Sequence, residues 1–380
     1  MKLLNKKSSV TLPIEIVNED KITSKGNLKN KVDVSGEQLE HNINQVYSYW
    51  SQRGFPYYPT DKSWRQEKFD TLMKTDYKSL ISESGVIKPN LTGLSLAWSY
   101  MPHSFGIRCG KMKTPMEIYQ SEEHYKKGIR KLLTGSFFGI FSVDDLMPVS
   151  RNLFGEMTET SPQAKFKSES TMRSLLRRYT GTQCVSNFRP TSAAALYYRF
   201  TKPNDVVWDM SMGYGGRILG AILADVNYIG TDPATPTYNG LTQIKNDFAR
   251  SDRFYNLHKL GSEVFQPEKE SLDFAFTSPP YFNWEQYSED EEQSFKQFNS
   301  NEQWNNGFLK KTIENVYYGL KKDKVMGLNV ANIKSHKTFE DDTVEIAKSV
   351  GFKHIDTYKL QLSSQESGAK YEPVFIFKKE

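Results

Sequence analysis

The chain has 380 residues, 37% of them apolar, 13% aromatic and 25% charged, enough for one large domain or two ordinary ones with a core that needs no metal or cross-link. Two cysteines, Cys109 and Cys184, give neither a disulfide framework nor a zinc cluster. No run nears the roughly 20 apolar residues that span a bilayer, and the N-terminus lacks a signal-peptide pattern, so the expected setting is cytoplasmic, with no membrane and no metal. Net charge is +5, unevenly placed: residues 1–180 hold 27 Lys+Arg against 19 Asp+Glu (+8), and residues 181–380 hold 23 against 26 (−3). A basic half beside a near-neutral half suggests that one holds a polyanion while the other does something else.

The first 40 residues are polar, with short apolar alternation at Val10, Leu12, Ile14 and Ile16, and read as an arm or an edge strand. Helical spacing follows over 38–51. An aromatic, proline-rich loop occupies 54–64, and 65–80 reads as a helix with Phe69, Leu72, Met73, Tyr77 and Leu80 on one face. Residues 85–115 are rich in Gly, Pro and aromatics. A helix is expected over 116–133, carrying Lys126, Lys127, Arg130 and Lys131, and 165–178 adds Lys165, Lys167, Arg173, Arg177 and Arg178. Phe55, Tyr57, Tyr58, Trp64, Trp98, Tyr100 and Phe105 fit a core better than a base-stacking surface, because aromatics are most often packing residues. Residues 1–180 are thus expected to form a mostly helical basic domain that recognises nucleic acid, and 181–380 a second domain.

Beyond residue 180 strands alternate with helices. Strands are expected at 205–209, 227–232, 256–260, 272–277 and 325–331, with helices at 217–224, 237–250, 302–320 and 339–350. Two further strands, 353–361 and 372–378, follow without a helix between them and should form an antiparallel hairpin at one edge. This alternation implies an α/β fold, a parallel sheet with helices on both faces.

Three motifs lie along this alternation. Val206-Val207-Trp208-Asp209-Met210-Ser211-Met212-Gly213-Tyr214-Gly215-Gly216-Arg217 runs from an apolar strand through an acid and a glycine cluster into a helix, a turn that lets a ligand approach the main chain. The next strand ends in Asp232-Pro233, 23 residues after Asp209, where a carboxylate can accept both hydroxyls of a ribose. After the third strand, Ser262 and Glu263 are both placed to reach an adenine amino group. Most specific is Asp273-Phe274-Ala275-Phe276-Thr277-Ser278-Pro279-Pro280-Tyr281. Its prolines fix the backbone and remove two amide donors, leaving a stiff ribbon of carbonyl acceptors suited to an amino group.

The glycine loop resembles the Asp-x-x-x-Gly-x-Gly loop of S-adenosylmethionine enzymes, and Ser278-Pro279-Pro280-Tyr281 resembles the Ser/Asp/Asn-Pro-Pro-Tyr motif of DNA amino-methyltransferases. The resemblance covers roughly residues 187–380. It implies a Rossmann-like seven-stranded methyltransferase sheet and S-adenosyl-L-methionine as cofactor. The cofactor would be held by Asp209, Met210, Gly213, Gly215, Gly216, Asp232, Pro233, Ser262, Glu263 and Thr277, with Phe188, Arg189, Pro190 and Thr191 closing over its methionine end. Ser278 and the Pro279 carbonyl would accept hydrogen bonds from the exocyclic amine of a flipped-out base, on which Tyr281 stacks. In the long segment 282–306, Asn283, Trp284 and Tyr287 are placed to touch that base, while the acidic run Glu289-Asp290-Glu291-Glu292 is a solvated face. The implied substrate is double-stranded DNA, in a restriction-modification or phage setting with recognition left to residues 1–180 or to a partner. The Ser form of the motif does not choose between cytosine N4 and adenine N6. An RNA base methyltransferase is a second reading. A nucleic-acid-binding subunit with an inactive site is a third, against which the intact motifs argue.

Overall fold

The computed structural model describes residues 36–135, 140–151, 157–159, 161–179, 181–282, 284–365 and 368–380; the alternation at Val10–Ile16 lies outside them. The N-terminal half contributes α1 (Gly36–Arg53), α2 (Lys62–Met73), β1 (Val86–Ile87), α3 (Leu94–Ser99), β2 (Arg108–Cys109), α4 (Pro115–Gln120), α5 (Glu122–Thr134), α6 (Val143–Leu146), a small hairpin of β3 (Val149–Arg151) and β4 (Met157–Glu159), and α7 (Pro162–Arg178). The helix expected over 116–133 is two helices. Ser121 has extended backbone angles, ends α4, and starts α5 by accepting the His124 N–H on its hydroxyl, the usual way such a residue satisfies a helix's first free donors.

From residue 190 the order is α8 (Pro190–Phe200), β5 (Val206–Asp209), α9 (Gly216–Ala224), β6 (Asn227–Thr231), α10 (Thr235–Phe248), β7 (Tyr255–His258), β8 (Leu272–Thr277) and the short β9 (Glu285–Gln286). Then come α11 (Ser294–Gln297), α12 (Asn301–Trp304), a π turn at Asn305–Leu309 that runs on into α13 (Lys310–Gly319), β10 (Leu320–Asn329), α14 (Phe339–Val350), β11 (Phe352–Gln365) and β12 (Gly368–Lys379). β8 is buried at all six positions, which is why Leu-Asp-Phe-Ala-Phe-Thr reads as a near-continuous apolar run rather than an alternating one.

The strand order is β1-β11-β12-β10-β8-β5-β6-β7. The strands from β7 to β10 pair in parallel, and β12 is antiparallel to both its neighbours. The seven strands foreseen after residue 180 form a Rossmann-like sheet with helices on both faces. Two expectations change. An eighth strand, β1, comes from the N-terminal half and pairs in parallel with β11, Val86 against Lys359 and Ile87 against Leu360. The β11–β12 hairpin is therefore not at an edge: β12 sits between β10 and β11, and β1 covers the outer side of β11.

The hydrophobic cores also divide the chain elsewhere than at residue 180. Tyr58, Leu72, Ile87, Leu94, Trp98, Met101 and Phe105 pack in one cluster with Met212, Ile218, Leu241 and Phe274 around the sheet. A second cluster fills its other face, from Trp208 and Met210 to Trp304, Ile313 and Phe377. Among the described residues, α1, α4, α5, α6 and α7 build a separate core, around Val46, Ile118, Ile129 and Leu176. The segment from Phe55 to Cys109 thus packs with the sheet through Leu72, Trp98 and Phe105, with Phe55 also reaching the helical core. Of the seven aromatics above, Tyr58, Trp98, Tyr100 and Phe105 are buried, Phe55 and Trp64 pack against the same core, and Tyr57 is exposed.

Several basic residues of this half are engaged within it. Arg173 is 1% exposed; its guanidinium donates to the Pro56 and Tyr57 carbonyls at 3.2 and 3.0 Å and lies over the Tyr58 ring. Arg177 is buried against Trp98. On α5, Lys126 and Lys127 pair with Glu122 and Glu123 one turn back, and Arg130 pairs with Glu40. The run expected to face a polyanion is thus partly interior and partly neutralised.

Candidate active site

The strand order reverses between β5 and β8, and both end on one cavity at the carboxyl edge of the sheet, where such folds bind ligands. The cavity has an empty volume of about 1250 Å³, counting the space open at its mouth. The segment before α8 and the loops after β5, β6, β7 and β8 line it.

The loop after β5 is held from beneath by Asp209. Its carboxylate is fully buried and accepts from Arg217 Nε at 2.8 Å, the Tyr228 hydroxyl at 2.7 Å, the Thr277 hydroxyl at 3.1 Å and the Ser211 N–H at 3.3 Å. With its acceptor sites filled, Asp209 does not line the cavity; it ties the glycine loop, α9, β6 and β8 together. Thr277 is 1% exposed and serves the same network. Arg217 also donates to the Ser211 carbonyl and lies beneath the Phe188 ring.

Two glycines are required here. Gly215 sits at φ +90° as the residue before α9, a conformation that L side chains rarely adopt. A Cβ on Gly216 would lie 1.7 Å from the Phe188 carbonyl. The segment before α8 therefore presses directly onto the glycine loop, fastened by Asn187 Nδ2, which donates to the Tyr214 carbonyl at 2.9 Å. Of the residues expected there, Phe188 and Arg189 line the cavity and Pro190 and Thr191 do not. Arg189 donates to the Gln361 and Leu362 carbonyls of β11 at 2.7 and 2.9 Å, and the Thr191 hydroxyl donates to the Asn90 carbonyl. Gly215 and Gly216 likewise shape the loop without facing the cavity; Met210 and Gly213 do face it.

Asp232 and Pro233 open onto the same space. The Asp232 carboxylate accepts from the Gly213 N–H at 3.2 Å and the Ala234 N–H at 3.0 Å. Burial outweighs these bonds and lifts its pKa to about 6. After β7, the Ser262 hydroxyl is engaged with Thr312 at 2.8 Å, whereas Glu263 Oε2 is buried with no hydrogen-bond partner in the protein. Burial raises the Glu263 carboxyl too. Of the two candidates, Glu263 is the one with an unpartnered acceptor.

Ser278, Pro279, Pro280 and Tyr281 all line the cavity. The Tyr281 ring stands edge-on to Phe339 at 5.9 Å, and burial raises its phenol pKa well above the usual range. The chain leaves the loop through Phe282 at φ +43°, a left-handed conformation uncommon for a bulky residue, which the apolar contacts of Phe282 with Trp304 hold in place. Asn283 lies outside the described residues. Trp284 turns away from the cavity: its ring covers Gly110 and its carbonyl accepts the Gly110 N–H at 2.7 Å. Tyr287 does line the cavity, with its hydroxyl donating to Glu285.

The segment beyond is pinned across the site. β9 pairs with β2, and Asp290, expected on a solvated face, accepts from the Thr235 N–H at 2.7 Å and its hydroxyl at 2.9 Å. Several lining residues were not foreseen: Tyr214 and Gln293, each with a buried polar atom lacking a protein partner, and Glu285 and Glu372. The wall is strongly acidic, with Asp232, Glu263, Glu285, Glu292 and Glu372, and its two arginines are already engaged with protein oxygens.

No family model and no curated protein matches the chain. Among solved structures it is similar to an S-adenosylmethionine-dependent methyltransferase of Methanosarcina mazei, with 12% identity over 48% of this chain and 96% of that one and a TM-score of 0.35. It is also similar to an O-methyltransferase of Thermotoga maritima, with 10% identity, 52% and 68% coverage and a TM-score of 0.37. A third is 1,6-didemethyltoxoflavin-N1-methyltransferase of Burkholderia thailandensis, solved with 1,6-didemethyltoxoflavin and S-adenosylhomocysteine bound, with 11% identity, 50% and 77% coverage and a TM-score of 0.35. Likenesses this distant leave substrate and chemistry to be argued from the site itself.

Proposed function

We propose that the protein is an S-adenosylmethionine-dependent methyltransferase acting on the exocyclic amine of a DNA base. The observation that carries the reading is that Ser278-Pro279-Pro280-Tyr281 and the glycine loop open onto one cavity at the reversal of strand order. The residues present fit the cofactor. Asp232 would accept the ribose hydroxyls, the unpartnered Glu263 Oε2 the adenine amino protons, and the Phe188, Arg189 and Gly213 wall would hold the methionine end. The cofactor supplies an electrophilic methyl group on a cationic sulfur, which an acidic wall favours.

At the other end, Ser278 and the Pro279 carbonyl accept hydrogen bonds from the amine. They hold its lone pair out of the ring and aim it along the line of transfer, so that rate comes chiefly from positioning. Tyr281 and Phe308 offer apolar faces to a base. Among the described residues that line the cavity, both arginines are engaged with protein oxygens, which supports a substrate that enters as a neutral base with its backbone outside.

The test is modification-sensitive sequencing of DNA and RNA from cells expressing the wild type or Ser278→Ala. A methylated cytosine or adenine amine in DNA, lost in the variant, is the expected result and names the base and site. Marks confined to RNA, or none in either nucleic acid, would overturn the assignment to DNA.

A further inference from the structure

Methylation of an amine leaves a proton to be placed. The nitrogen lone pair forms the new N–C bond while the C–S pair stays on sulfur; the nitrogen then carries a positive charge until one N–H bond breaks and its pair returns to nitrogen. None of the motif's own groups holds that proton near neutrality. Ser278 is a hydroxyl, Pro279 offers an amide carbonyl, and the Tyr281 phenol already keeps its own proton.

A carboxylate from elsewhere faces the same cavity. Glu285 lies four residues past Tyr281 and lines the wall with Ser278, Pro279 and Tyr281. Its position is built rather than incidental. Glu285 pairs with Cys109 across the β2–β9 ribbon, the neighbouring Trp284 carbonyl takes the Gly110 N–H, the Tyr287 hydroxyl donates to Oε2, and Cys109 Sγ stands 3.9 Å from Oε1. Its charge acts on the phenols of Tyr281, Tyr287 and Tyr214. Glu372, from β12, is the charged group that acts on it in turn.

We propose that Glu285 is the catalytic base that takes the proton shed by the substrate amine, forming an O–H bond on its carboxylate that exchanges with water once the product base has left. The inference rests on the amine-methyltransferase reading. Burial, with the charge of Glu372, raises the Glu285 carboxyl to about 7 against the opposing bond from Tyr287, so it both takes and returns a proton near neutral pH, the range in which a general base works best. Asp232 and Glu263 lie on the loops after β6 and β7 and face the cofactor end.

The experiment is single-turnover transfer of labelled methyl from S-adenosylmethionine to unmethylated DNA, followed across pH. Glu285→Gln keeps the shape and the acceptor for Tyr287 but cannot take a proton. It should slow transfer about 100-fold and lose the acid limb that the wild type shows near 7, with S-adenosylhomocysteine binding by calorimetry unchanged. Glu285→Asp should recover part of the rate with the limb restored. Glu372→Gln should move the limb to lower pH, because removing its charge eases ionisation of Glu285. A Glu285→Gln protein with the wild-type rate and limb would overturn the proposal while leaving the methyltransferase reading intact. A wild type that binds S-adenosylhomocysteine yet labels no nucleic acid would overturn both.

Discussion

The two regions of this molecule treat their charges in opposite ways. In the helical lobe of α1, α4, α5, α6 and α7, cations that look free in the sequence are paired or buried: Lys126 and Lys127 with glutamates, Arg130 with Glu40, Arg173 on backbone carbonyls. At the carboxyl edge of the sheet, acids and polar atoms are left facing a cavity: Glu263 Oε2, the Tyr214 hydroxyl and Gln293 Nε2 have no protein partner. Net charge over a half-chain therefore says little about where a ligand binds. Unsatisfied groups converging from several loops say more, since buried polar atoms are normally partnered.

The comparison breaks most visibly at its structural hinge, Asp209–Arg217. Arg217→Met leaves a fully buried carboxylate without its cation, which costs about 3–5 kcal/mol; thermal and urea unfolding should both report that loss, and S-adenosylhomocysteine binding should go with it. Next comes Arg173→Met, which strips the buried Pro56 carbonyl and the part-buried Tyr57 carbonyl of their donor and should cost about 1–3 kcal/mol in urea unfolding, with cofactor affinity unchanged.

Asp232 sharpens the other side. Burial lifts its carboxyl to about 6, so it is ionised above that pH, the form that would accept the ribose hydroxyls in the proposed function. Affinity for S-adenosylhomocysteine should fall as pH is lowered through 6. Asp232→Asn should weaken binding at pH 8 by about tenfold, the worth of one charge-assisted hydrogen bond, and flatten the pH profile. The ligand-free protein follows the opposite sign. Between about 4 and 6 the folded chain holds a proton that the unfolded chain has released, so this group adds stability as pH falls through that window. The smallest effect belongs to Lys126→Ala with Lys127→Ala. Exposed pairs of this kind contribute little, so the melting temperature should not move measurably. Neither should the salt dependence of DNA binding, which a lobe gripping phosphates through these residues would lose.

Much of the sheet was legible. The strand at 272–277 and the helix at 339–350 have the bounds expected, because an apolar run ending in Pro-Pro and a clear helical period leave few alternatives. β1 was not legible: two residues have no period, and only contact with β11 makes them a strand. At the site, the motifs pointed to the loops that line the cavity but not to the atoms that face it. Asp209 looks like a ligand acid from its place in the glycine motif, and only the fold shows Arg217, Tyr228 and Thr277 filling it. Glu285 lies in an irregular segment whose carboxylates all look alike along the chain; pairing with β2 is what sets it apart from Glu289 and Glu291.

The pairing of Val86 with Lys359 spans more than 270 residues of chain. In time rather than space, this means the segment from Phe55 to Cys109 leaves the ribosome long before the sheet that covers it exists. Its Leu72, Trp98 and Phe105 must wait through most of synthesis with apolar surface uncovered, the state in which chains of this size aggregate. Closing so distant a contact is also slow. The yield of folded protein in a cell should therefore depend on temperature and chaperone supply more than its equilibrium stability would suggest.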